Sequence, residues 1–179
     1  MLGGDATAGH TTTAIALVAK DHTMPSTTEL RDALQQIFDE NRTLIADLSP
    51  SDMARPTANP RWKVRQLAAH IAEDDGGTLY VAKILAKGKN AKAPTFVVNL
   101  ANWWSLRKYS KAQPADLLAV MDKKHHELAQ WLDALPEEAL QRGGEVSGMG
   151  HVTTSGFLIE NCKHSQEHAA ELRAALARP

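Results

Sequence analysis

Two histidines, His164 and His168, stand four residues apart in the run His-Ser-Gln-Glu-His. On a helix that spacing puts both imidazoles on one face about a turn apart, close enough to share one cation. A third, His70, lies far upstream among apolar neighbours. Three neutral imidazoles converging on a divalent cation leave it with its full charge and an open coordination position. A water or thiol bound in that position is acidified. Asp74 follows His70 by one turn and Glu160 precedes His164 by one turn. These carboxylates are the nearest candidates for a fourth ligand, for orienting a ligand, or for handling a proton. Glu167 and Glu171 stand behind them, with Glu167 turned further toward solvent.

Other readings of the chemistry-bearing residues are weaker. His-x-x-Glu-His matches the inverted zinc-protease pattern, but that chemistry needs a downstream carboxylate ligand and little sequence follows His168. His125 and His126 are adjacent, so they point in different directions, and at least one is expected to face solvent. His151 falls in a Gly-rich connection, and His10 and His22 in an N-terminal tail. Cys162 is expected to be a buried, inert thiol. Trp103 and Trp104 are expected to pack as core or lid rather than to stack on a substrate. The sequence contains no P-loop, dinucleotide fingerprint or zinc-finger spacing.

Positioning such a site requires helices. Ser26-Thr27-Thr28-Glu29 is a capping box, and the apolar residues that follow predict a helix over 27–48. A second helix starts near Trp62 and runs through Leu85, with a bend expected at Gly76-Gly77. Residues 94–112, with Phe96, Trp103, Trp104 and Tyr109, predict a short helix and a packed loop. Pro114 opens a third helix that Pro136 stops. The stretch 143–150 is a connection, after which Thr153, Thr154 or Ser155 caps a fourth helix reaching Leu176. With no convincing period-two strand, the expected fold is all-α, an antiparallel four-helix bundle over residues 26–179. Residues 1–25 are expected to form a poorly structured tail. The long link between the second and third helices permits a non-simple topology.

At about 100° per residue, Leu158, Cys162, Ser165, Ala169 and Leu176 centre the apolar arc of the fourth helix. His164 and His168 fall at its shoulder. His70 holds the equivalent place on the second helix, whose core side carries Val64, Leu67, Ile71, Ala82 and Leu85. A shared site at the mouth of a bundle needs that placement.

Composition narrows the partners. Lys and Arg number 20 and Asp and Glu 21, a net charge of −1. That balance supplies no electrostatic footprint for nucleic acid or for an anionic membrane. No run approaches the roughly 20 apolar residues of a membrane span. A lone cysteine fits a reducing compartment, and the chain is expected to be cytoplasmic.

The segment Trp62-Lys63-Val64-Arg65-Gln66-Leu67-Ala68-Ala69-His70-Ile71, followed by the His164/His168 pair on the last helix, resembles the DinB-like superfamily. That group includes the N-terminal domains of mycothiol-dependent maleylpyruvate isomerases. The resemblance spans about residues 26–177. It implies a four-helix bundle with His70, His164 and His168 as ligands of a divalent metal, zinc or nickel, in a protein that is frequently a homodimer. It further implies activation of a low-molecular-weight thiol such as mycothiol or bacillithiol, for transfer to or isomerisation of a small electrophile. A non-catalytic, stress-associated metal-binding module is the alternative. In some isomerase relatives a Glu takes the first position of the late-helix pair. His164 stands there in this chain, so the all-histidine set looks closer to the transferase-like and uncharacterised branches.

Overall fold

The computed structural model describes residues 25–93 and 107–178. The tail with His10 and His22, and Phe96, Trp103 and Trp104, lie outside the described residues. Four long helices carry the fold: α1 (Thr27–Ala46), α2 (Val64–Leu85), α3 (Pro114–Asp133) and α4 (Thr154–Ala177). Each starts where the sequence supplies an end group. At α1 the Ser26 hydroxyl accepts from the Glu29 amide at 3.2 Å, and the Glu29 carboxylate accepts from the Ser26 amide at 2.8 Å. Pro114 occupies the first turn of α3, where a missing N–H costs nothing. Thr153 caps α4 by accepting from the Gly156 amide at 3.0 Å.

The apolar periodicities meet in two layers of core. Toward one end Ile45, Val64, Leu67, Leu117, Met121 and Leu172 pack together; toward the other Leu30, Leu34, Leu79, Leu85, Leu128 and Leu158 do so. This sorting sets the helix directions. The starts of α2 and α3 share one layer and their ends share the other, so these two helices run parallel. The starts of α1 and α4 lie in the second layer, so both run opposite to α2 and α3. Arg42–Asp122 at 2.8 Å and Arg31–Asp133 at 2.9 Å trace the antiparallel α1–α3 contact. α1 and α2 each pack on both α3 and α4, so helices consecutive at either end of the chain sit across the bundle diagonal. The sequence between Leu85 and Pro114 is long enough to span the bundle, as α3 running parallel to α2 requires.

Two sequence expectations need correction. α2 runs unbroken through Gly76 and Gly77 rather than breaking there. The space a side chain would take at Gly76 is filled by Lys124 of α3, whose Cδ lies 2.9 Å from an ideal Cβ. The glycine serves close helix packing, and helical hydrogen bonds carry through it. The connection at 143–150 is a hairpin of β1 (Gly143–Val146) and β2 (Gly150–Thr153), paired antiparallel. Glycines hid it, because they carry no apolar alternation. They are nonetheless required: a Cβ on Gly144 would lie 2.4 Å from the Lys89 carbonyl oxygen. The hairpin docks on the end of α2 through Ala91 N–H to Glu145 O at 2.9 Å, and it leads into α4 through Thr154 N–H to Arg142 O at 2.7 Å.

Candidate metal centre

His70 comes from the second turn of α2, and His164 and His168 come from the antiparallel α4 packed against it. Their backbones are fixed by the core residues beside them, since Ala69 and Ile71 flank His70 and Ser165 and Ala169 flank the pair, all buried. One ring nitrogen from each histidine lies within 4.8 Å of those of the other two. The Nε2 atoms of His164 and His168 are 3.1 Å apart. Two nitrogens each held about 2.05 Å from a tetrahedral zinc lie about 3.3 Å apart. The pair therefore already has ligand spacing, and the donor set is all imidazole, which suits zinc, copper, iron or nickel.

The rings also meet edge to face. The His70 plane is 87° from that of His168 at a centroid distance of 4.7 Å, and 88° from that of His164 at 5.7 Å. Trp62, at the entry to α2, closes one side with its ring centroid 5.3 Å from His70 and 6.4 Å from His168. Burial and the two neighbouring imidazoles push His70 down to about 4. Burial and then His164 also lower His168, against an opposing pull from Glu171. Both rings are neutral near pH 7, the state in which a histidine ligates.

The carboxylates divide by role. Glu171 of α4 places a carboxylate oxygen 3.5 Å from His168 Nδ1. The nitrogen facing the carboxylate keeps its proton and leaves Nε2 as the bare atom. The i,i+3 spacing from His168 is the signal that marks Glu171 in sequence, where Asp74 and Glu160 are the nearer candidates. Asp74 faces the α4 backbone side of the site: Ser165 Oγ donates to its Oδ2 at 2.5 Å and Asn161 Nδ2 at 3.3 Å. Its enclosure between α2 and α4 raises the carboxyl to about 6, against the Ser165 hydrogen bond. Glu160 is exposed and engaged by Lys163 at 2.6 Å. Among the described residues, neither Asp74 nor Glu160 joins the cluster of ligating atoms.

A cavity of about 400 Å3 opens beside His164, bounded by Met149, Phe157, Glu160, Asn161, Lys163 and Glu167. The other histidines stand elsewhere. His125 is buried against Phe38, with a ring separation of 3.9 Å, and its nitrogens meet Asp75 at 2.8 Å and Gln35 at 3.1 Å. His126 and His151 are exposed. Cys162 is buried, and its thiol is pushed up to about 12, first by desolvation and then by Asp75 and Asp74. It is unreactive near neutral pH. Tyr109 is buried, and its hydroxyl donates to Glu73.

A family model described as the DinB superfamily matches residues 33–172. The chain belongs to the DinB superfamily. Its bundle is similar to that of YfiT from Bacillus subtilis, described as a probable metal-dependent hydrolase with an unusual four-helix bundle topology. The TM-score is 0.72 at 18% identity, over 87% of this chain and 89% of that one. It is also similar to the mycothiol-dependent maleylpyruvate isomerase, with a TM-score of 0.69 at 16% identity over 84% of this chain; the match covers only 62% of the isomerase. The colibactin self-resistance protein ClbS, solved in complex with a dsDNA, matches with a TM-score of 0.63 at 15% identity over 88% of this chain and 99% of that one. No functionally curated protein matches the sequence. At these identities the solved structures establish the DinB fold of this protein and leave its chemistry to its own residues. No helix among the described residues is long and apolar enough to cross a membrane.

Proposed function

We propose that this DinB protein is a divalent-metal-dependent enzyme that activates a low-molecular-weight thiol, such as mycothiol or bacillithiol, for transfer to or isomerisation of a small electrophile. The observation that carries the reading is the convergence of His70, His164 and His168 nitrogens within 4.8 Å beside a cavity. Zinc or nickel bound there supplies Lewis acidity that lowers the pKa of a thiol or water in its open position. The chain's own residues prepare that event. Burial keeps His70 and His168 neutral, so no protons need be displaced from them near pH 7. Trp62 screens one side of the cluster from water and holds the His70 ring. Glu171 keeps the proton of His168 on Nδ1. The cavity on the His164 side gives the electrophile its approach.

The match with the isomerase supports a small-molecule partner; the near-zero net charge of this chain speaks against nucleic acid, although ClbS, of similar fold, was solved with a dsDNA. The test is metal analysis of the purified protein, followed by an assay of a model electrophile with mycothiol and bacillithiol. Turnover that requires both metal and thiol supports the enzyme. Turnover with metal and water alone shifts the reading to hydrolysis in the same geometry. Stoichiometric metal without turnover across a panel of electrophiles favours a non-catalytic metal-binding module.

A further inference from the structure

We propose that Asn161 anchors a substrate subsite beside His164, and that this subsite takes a small, largely apolar molecule bearing one neutral carbonyl group. The inference rests on the metal-centre reading above and adds the class of molecule bound there. Asn161 precedes His164 by three residues, so the two side chains share a face of α4, and both line the same cavity.

The amide is preset. Asp74 Oδ2 accepts from Asn161 Nδ2 at 3.3 Å, and the same oxygen is pinned by Ser165 Oγ at 2.5 Å. A carboxylate facing Nδ2 fixes which way the amide points. One N–H goes to Asp74, which leaves the second N–H as the donor the amide has to offer a ligand. A group already held in its binding rotamer loses little entropy when a ligand arrives. Asp74 thereby acts through Asn161, as a positioning residue.

The walls select the class. Phe157, one turn before Asn161, and Met149, at the hairpin tip, offer apolar surface to the cavity. Among the described residues of the lining the cation is Lys163, paired with Glu160 at 2.6 Å. Glu167 adds a further negative charge to the lining. A carboxylate substrate would compete with Glu160 for Lys163 and face the charge of Glu167, whereas a neutral carbonyl oxygen needs only an N–H donor such as the Asn161 amide.

The test uses cobalt-loaded protein and two thiols of similar shape, 2-phenylethanethiol and its ketone analogue 2-mercapto-1-phenylethanone. Thiolate binding to cobalt is followed through the sulfur-to-metal charge-transfer band. Because the thiols differ in acidity, each is compared between wild type and Asn161→Leu, with Asn161→Ser as a second variant should the first fold poorly. Cobalt stoichiometry and helicity are checked for each. The expected result is a selective loss of about 3- to 10-fold in affinity for the ketone thiol, the size of one neutral hydrogen bond, with the parent thiol little changed. An equal loss for both thiols, or none for either, overturns the assignment of Asn161. If cobalt binds and neither thiol perturbs its spectrum in wild type, the thiol reading fails and this inference falls with it.

Discussion

His164 and His168 aim their Nε2 atoms at each other across 3.1 Å. Without a cation that contact needs a proton on one of the two nitrogens, so the pair can satisfy itself in one tautomer only. With a cation both lone pairs are used. Purified protein is therefore expected to bind about one equivalent of zinc or nickel. Substituting His70, His164 or His168 by Ala should weaken binding by at least about 100-fold, more than loss of an outer hydrogen bond typically does. Chelator competition measures the affinity and circular dichroism confirms that helicity survives. Metal at a hundred times the wild-type dissociation constant should stabilise wild type by about 2.7 kcal/mol and the variants by about 0.4 kcal/mol or less.

Glu171 should matter to the metal without touching it. Glu171→Gln keeps the shape but replaces the carboxylate that faces His168 Nδ1 at 3.5 Å. Metal affinity should fall about 10- to 100-fold. The nitrogen-15 shifts of His168 should show loss of its single tautomer in the metal-free protein. Unchanged shifts would falsify the orienting role.

His70 and Asp74 pull the stability of the metal-free protein in opposite directions with pH. His70 is lowered from 6.5 to about 4 on folding. Between those values the unfolded chain holds more protons, so acidification destabilises the fold. Asp74 is raised from 3.8 to about 6. There the folded chain holds more protons, so acidification stabilises it. Urea midpoints at pH 4.5 and 6.5 read the balance. Relative to wild type, Asp74→Asn should lose more stability on acidification, and His70→Ala should lose less. The reverse order would mean that one of the two environments is misassigned.

The buried core predicts its own penalty. Leu158 is fully enclosed where α4 meets the second apolar layer. Leu158→Ala should cost about 2–5 kcal/mol in urea unfolding, with metal stoichiometry retained, because His164 and His168 lie on the neighbouring shoulder of α4 and His70 on α2.

Much of the helical architecture was legible because it rests on local chemistry. The Ser26/Glu29 capping box, Pro114 in the first turn of α3 and the Thr153 cap each act within a few residues, and they placed helix starts well. The end of α1 at Ala46 falls short of the expected Leu48, since Leu48 packs into the core from outside the helix. The hairpin was hidden because Gly143 and Gly144 are chosen for how closely Val152 and Lys89 approach them, a constraint that leaves no periodic trace. The uninterrupted path of α2 through Gly76 likewise depends on Lys124, a residue of another helix.

The same division governs the site. Spacing alone set His164 and His168 on one face of α4 and His70 on the shoulder of α2, because helical geometry is the same wherever the helix sits. What the carboxylates do was decided in three dimensions. Asp74 turns into Ser165 and Asn161, Glu160 turns out to Lys163, and Glu171 reaches His168. Each of these contacts depends on which atoms another turn or another helix brings within hydrogen-bond range. The three histidines meet because α4 runs antiparallel along α2, and that pairing is made by two layers of buried side chains drawn from all four helices.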